Sequence, residues 1–107
     1  MALERLNVVD AVGIEEGTGV AVLTIADEAD WMDEGRHLLA LQAKLNSYFN
    51  FIESGQIWQT YPKAVGRKLV IEVIGRFPIP EAGSVLIQRA SDASVPLGAS
   101  VRFRHCP

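Results

Sequence analysis

The sequence predicts an α+β fold, a two-layer sandwich in which a four-stranded mixed sheet carries two helices on one face. Three observations predict it. Strand-like stretches occur four times, at "NVVDAVGIEE", "VAVLTIA", "RKLVIEVIGRF" and "ASVRFRH". One long stretch between the second and third repeats apolar residues at steps of three and four, as a helix does. The resulting order is β-β-α-β-α-β. Strands joined through helices lie parallel by right-handed crossovers, whereas the first two are separated only by a glycine-containing turn and form an antiparallel hairpin.

The first strand alternates, with Val8, Asp10, Val12 and Ile14 on one side. Gly17 and Gly19 in "EEGTG" supply the positive φ that a tight hairpin needs. The second strand has apolar residues on both faces and only Thr24 as a polar one, so it is read as central. From about Asp33 to Ser54 the apolar positions Leu38, Leu41, Leu45, Tyr48, Phe49 and Ile52 form one helical stripe. Gly55 stands where a left-handed cap belongs, and Arg36, Lys44, Ser47 and Asn50 are expected to face water. "QIWQTYPKAVG" reads as a connecting loop. In the third strand Leu69, Ile71, Val73 and Phe77 face one way and Val70, Glu72, Ile74 and Arg76 the other. Pro80 and Glu81 open a second helix, whose inner stripe is read as Ala82, Val85, Leu86, Ala90 and Ala93. In the last strand Val101, Phe103 and His105 alternate with Arg102, Arg104 and Cys106.

A chain of 107 residues, 49% apolar and 21% charged, is expected to form a single domain over residues 1–107 with a core of its own. No apolar run approaches the roughly 18–20 residues that span a bilayer, and the N-terminus lacks the apolar stretch of a secretory signal. The one cysteine, Cys106, has no partner for an internal disulfide. A cytoplasmic location and no membrane are therefore the expectation. Net charge is −3, but unevenly spread: residues 1–53 hold ten acids against three Lys/Arg, and residues 54–107 three against seven. The halves can pair these charges within the fold or present opposed surfaces.

The run "DWMDEGRHLLALQAKLNSYFNFIESGQIWQTYP", followed by "KLVIEVIGRFP", resembles a family of small bacterial proteins of about this length that is known only as a domain of unknown function. The likeness extends from the opening hairpin through the third strand and weakens over the second helix. It implies a compact bacterial domain and brings no activity, cofactor or catalytic residue.

Several constellations are candidates for chemistry. Asp27, Asp30, Asp33, Glu34 and His37 fall at helical spacing, an arrangement that suits a small ligand or a divalent ion. A helix start requires less and is the preferred reading: carboxylates there cap free N–H groups and favour the positive end of the helix dipole. No "HExxH", calcium-loop, phosphate-loop, dinucleotide or "GxSxG" pattern occurs. His105 and Cys106 are neighbours on a strand and so point to opposite faces. No metal and no cofactor are expected, and the reading leans away from an enzyme. Arg76, Arg102 and Arg104 would share the sheet face away from the helices and are the candidates for an anion or RNA. Bases are stacked on aromatic residues in sheet readers and none alternates with these arginines, so nucleic acid is disfavoured. Trp58 and Tyr61, with Trp31, would line one end of the sandwich. The leading expectation is a small binding or interaction module. Its surface is Asp30, Trp31, Asp33, Glu34 and His37 with Trp58 and Tyr61 beside them, and the partner is another protein or a second copy meeting Val70 and Ile74.

Overall fold

The computed structural model describes Leu3 and residues 9–107. Its elements are β1 (Ala11–Ile14), β2 (Ala21–Asp27), α1 (Glu34–Glu53), α2 (Gln56–Thr60), β3 (Leu69–Gly75), α3 (Glu81–Ser94) and β4 (Ala99–His105). Short 3-10 turns follow α2 at Pro62–Ala64 and α3 at Val95–Leu97. The sheet order is β1-β2-β3-β4. β1 runs antiparallel to β2, while β2, β3 and β4 are parallel, with Leu23 beside Ile71 and Ile71 beside Val101. This is the α+β sandwich that the sequence predicts. The loop expected after Gly55 contains α2, whose Ile57 is fully buried and joins the core.

The core lies between the sheet and the helix layer. Leu23, Ile25, Ile71 and Val73 meet Leu41, Leu45, Tyr48 and Ile52 of α1 and Ile87 of α3. Burying each large apolar side chain contributes about 1.5–3 kcal/mol, which is what holds α1 and α3 on this one face. β1 is shorter than the sequence predicts, and Val8 lies outside the described residues. The hairpin ladder ends where Tyr48 enters it: its hydroxyl donates to the Thr24 carbonyl at 2.6 Å and accepts from the Asp10 N–H at 3.0 Å. Asp10 then accepts from the Ala26 N–H through its carboxylate, at 2.9 Å. Burial pushes the Tyr48 phenol up to about 12. The unfolded phenol titrates near 10, so this contribution to stability is complete below that pH and is lost as pH rises through about 12. Tyr48→Phe is expected to cost about 1–3 kcal/mol at neutral pH, because both backbone groups lose their partner. It is also expected to remove the part of the alkaline stability loss that this phenol causes. Urea denaturation of both proteins at pH 8 and pH 11 measures both effects.

Two expectations about the helices are corrected. Lys44, expected to face water, is fully buried on α1, with its ammonium 5.5 Å from the Tyr48 ring centroid. Its stem and charge lie on the same side of α1 as Tyr48, four residues on, so a position read as polar from its charge belongs to the core. α3 is rotated from its predicted stripe: Gly83, Ile87, Ala90 and Ser94 are buried, whereas Ala82, Val85 and Ala93 are exposed and Leu86 is half-buried. The physical reason is that small residues are needed on the inner side. A Cβ on Gly83 would stand 2.5 Å from Ile79 Cγ1 and 3.1 Å from Trp31 Cη2. Ser94 donates to the Ala99 carbonyl at 2.8 Å, and Ser91 accepts from the Val101 N–H at 3.1 Å. These two hydroxyls satisfy backbone groups on the outer edge of β4 that would otherwise stand open to strand pairing.

Candidate functional site

Asp27 ends β2 at the carboxyl end of the parallel strands, and His37 lies in the first turns of α1, a connecting turn away. The chain reverses between them through side-chain-to-backbone bonds. Asp27 Oδ1 accepts from the Ala29 N–H, Asp30 Oδ1 from the Met32 N–H and Asp33 Oδ1 from the Arg36 N–H. Asp33 is thus the cap of α1, and Glu34 follows in its first turn, where the dipole favours a negative charge.

The pair at the centre is buried: Asp27 is 2% exposed and His37 5%. His37 Nε2 lies 2.5 Å from Asp27 Oδ2, and Nδ1 lies 2.7 Å from the Asp30 carbonyl oxygen. A carbonyl only accepts, so Nδ1 carries a hydrogen. With a carboxyl group on the other nitrogen, neither presents a lone pair to a substrate or an ion. Trp31 stacks on the imidazole at 3.6 Å between centroids with the planes 9° apart, and its far edge reaches Gly83 at the start of α3. The cluster therefore fastens the end of β2, the start of α1 and the start of α3. The backbone of Asp27 extends it to β3 by accepting from the Arg76 N–H at 3.0 Å.

These contacts decide what the acidic stretch can do. Asp30, Asp33 and His37, with Arg36 and Leu3, border an open cleft of about 360 Å³. Among the described residues, no three His, Cys, Asp or Glu side chains are placed to hold a metal ion. Trp58 and Tyr61 are not near this cleft. They follow the far end of α1, whose twenty residues span about 30 Å. Trp58 packs half-buried against the core, and Tyr61 meets Phe51 edge to face at 6.4 Å. The acidic turn and these two aromatics thus occupy opposite ends of the molecule.

The arginine face is equally engaged. Glu72 lies beside Arg102 in the register of β3 and β4. Arg102 donates to Glu72 at 2.7 Å and to Glu15 at 2.9 Å, and Arg104 donates to Glu72 at 3.3 Å. The hydrogen bond from Arg102 holds the Glu15 carboxyl below its ordinary range, and Glu15 and Glu72 together raise Arg102. Two acids and two bases leave the network without net charge. Arg76 stands beyond the end of β3, its guanidinium 6.0 Å from the Phe77 ring centroid. Val70 on this face is buried and Ile74 half-buried, so little apolar area is open there.

In the sequence Asp27 and His37 stand ten residues apart in one charged stretch, with no motif that marks them as partners. The available signal was an acid closing an apolar strand and a histidine four residues before Leu41, on the core side of α1. The Ser91 and Ser94 contacts to β4 had no signal in the pattern, because serine at a helix end reads as surface.

Fold and site together define a small α+β sandwich in which the buried Asp27–His37 cluster joins the end of β2 to the starts of α1 and α3. The chain belongs to the family of unknown function DUF6572, whose model matches residues 1–106. No curated protein and no solved structure matches it. Among the described residues no helix is long and apolar enough to cross a membrane.

Proposed function

We propose that the protein is a non-catalytic interaction module, and that its contact surface is the groove between α1 and α3. The carrying observation is the rotation of α3. A helix normally turns its larger apolar residues inward; this one buries Ile87 but gives the rest of its inner side to Gly83, Ala90 and Ser94, and leaves Val85 44% exposed, with Ala82, Leu86 and Ala93 beside it. They face Leu38 and Phe49 of α1 across an open groove of about 390 Å³. Apolar area gathered in one depression, with the amides of Gln42 and Asn46 at its margin, is the composition of a contact site with a polar rim. Leu39, 69% exposed on α1, adds to the same helix layer. The chemistry-bearing side chains support this reading by their engagement elsewhere, since His37, Glu72, Arg102 and Arg104 all bond within the fold.

Incorporation of the photo-crosslinking residue p-benzoylphenylalanine at Val85, in the native host, tests the reading. The expected result is a discrete crosslinked protein that is missing when the residue is placed at Arg104 on the open sheet face. No product at Val85, or the same products at both positions, would remove the groove as the contact surface.

A further inference from the structure

We infer that the groove receives a short amphipathic helix of a partner protein that carries one carboxylate in the middle of its apolar stripe. This inference rests on the interaction-module reading and names the chemistry of the partner.

Length argues for a helix. The lining runs from Leu38 to Phe49 on α1 and from Ala82 to Ala93 on α3. Each is twelve residues, or about 17 Å at 1.5 Å per residue, the length of three helical turns. The lining positions advance by three and four along both helices, so they form two ridges with a trough between them, into which the side chains of a third helix can interdigitate. An extended strand finds no unpaired backbone edge here, because both walls are helices.

Charge argues for a carboxylate. Arg89 is the one charged residue among those that line the groove, and it makes no ion pair among the described residues. An apolar partner covering it would bury an uncompensated guanidinium, which is strongly unfavourable, whereas a carboxylate opposite it forms a bidentate pair. A second copy of this chain is the weaker occupant. Two such grooves meeting face to face bring Arg89 and its symmetry mate into one contact whose lining supplies no acid.

The probes are three lactam-stapled peptides of fifteen residues that share one leucine and alanine stripe and differ only at the central position, Glu, Gln or Lys. The staple is needed because isolated helices of this length are marginal in water. Each is titrated into nitrogen-15-labelled protein, with amide shifts recorded at Leu38, Phe49, Val85 and Ala93. The Glu peptide is expected to shift these amides and to bind about tenfold or more tightly than the Gln peptide, the usual worth of a charge-assisted hydrogen bond. In Arg89→Met, an exposed position whose change leaves the core intact, Glu and Gln peptides are expected to bind alike. In Arg89→Glu the preference is expected to pass to the Lys peptide. Equal binding of all three by the native protein, or shifts confined to residues outside the groove, would overturn the acidic-helix assignment. A Val85 crosslink obtained alongside that negative result would leave the groove as the contact surface and remove only the helix. Tighter binding of anionic vesicles than of the Glu peptide, at the same amides, would assign the groove to a membrane and overturn the inference.

Discussion

Asp27→Ala is expected to lower the unfolding free energy by about 1–3 kcal/mol, the cost of leaving a buried polar group without its hydrogen-bond partner. The imidazole of His37 would remain 5% exposed, with its Nε2 facing a cavity instead of a carboxyl group. Three attachments weaken together. The Ala29 N–H loses its acceptor, α1 loses its tie to β2, and the Trp31 stack loses the fixed ring on which it rests. Against the 5–15 kcal/mol typical of a whole domain, this is a large fraction. Asp27→Asn keeps an oxygen in place and is expected to cost distinctly less. The double variant Asp27→Leu/His37→Leu removes both polar groups and is expected to recover much of the loss, since a buried pair and apolar side chains of similar volume are often close in energy. Urea denaturation of the four proteins measures this series. An Asp27→Ala loss below 1 kcal/mol would mean that the pair is dispensable. The same variant bears on the proposed contact surface, because Trp31 supports the first turn of α3, where the groove begins at Ala82.

The sheet was legible because its signal is local. Apolar runs such as Leu69–Ile74, broken only at Glu72, identify buried strands, and the hairpin glycines Gly17 and Gly19 do adopt positive φ. The spacing of Leu41, Leu45, Tyr48 and Ile52 fixed the inner side of α1 for the same reason. What escaped were choices made between elements. Ala82, Val85 and Ala93 have the pattern of a core stripe, but Gly83 and Ser94 occupy the inner side because Trp31, Ile79 and the edge of β4 demand small or hydrogen-bonding neighbours there. Lys44 reads as solvent-facing by its charge, although the register of α1 carries it inward beside Tyr48. The acidic turn showed every residue of its cluster in sequence. Only the fold reveals that His37 reaches back ten positions to Asp27, so that residues which look available for chemistry are already bonded to each other.

Gly75→Ala is expected to destabilise the protein by about 1–3 kcal/mol, the usual cost of overpacking, although alanine is generally the better residue outside turns. Gly75 does not have the positive φ that would itself demand glycine. The demand comes from packing at the carboxyl end of the sheet. Gly75 stands between Asp27 and His105 in the register, and its carbonyl accepts from the Cys106 N–H. A Cβ here would lie 2.5 Å from Phe103 Cε2 and 2.7 Å from Cζ, with the Phe77 carbonyl oxygen 3.3 Å away. The ring can retreat only by giving up its packing on the core, and the carbonyl belongs to backbone, so neither yields freely. Phe103→Leu distinguishes this cause from a backbone preference. In the native background it removes core contacts and should destabilise; in the Gly75→Ala background it removes the clash and should stabilise. A double-mutant cycle by urea denaturation is therefore expected to give a coupling of about 0.5–3 kcal/mol. Strict additivity would place the requirement for glycine in the backbone instead. A change of sign would identify Phe103 as the residue that keeps position 75 bare, and would make the end of β3 a packing junction between the sheet and the His37 cluster.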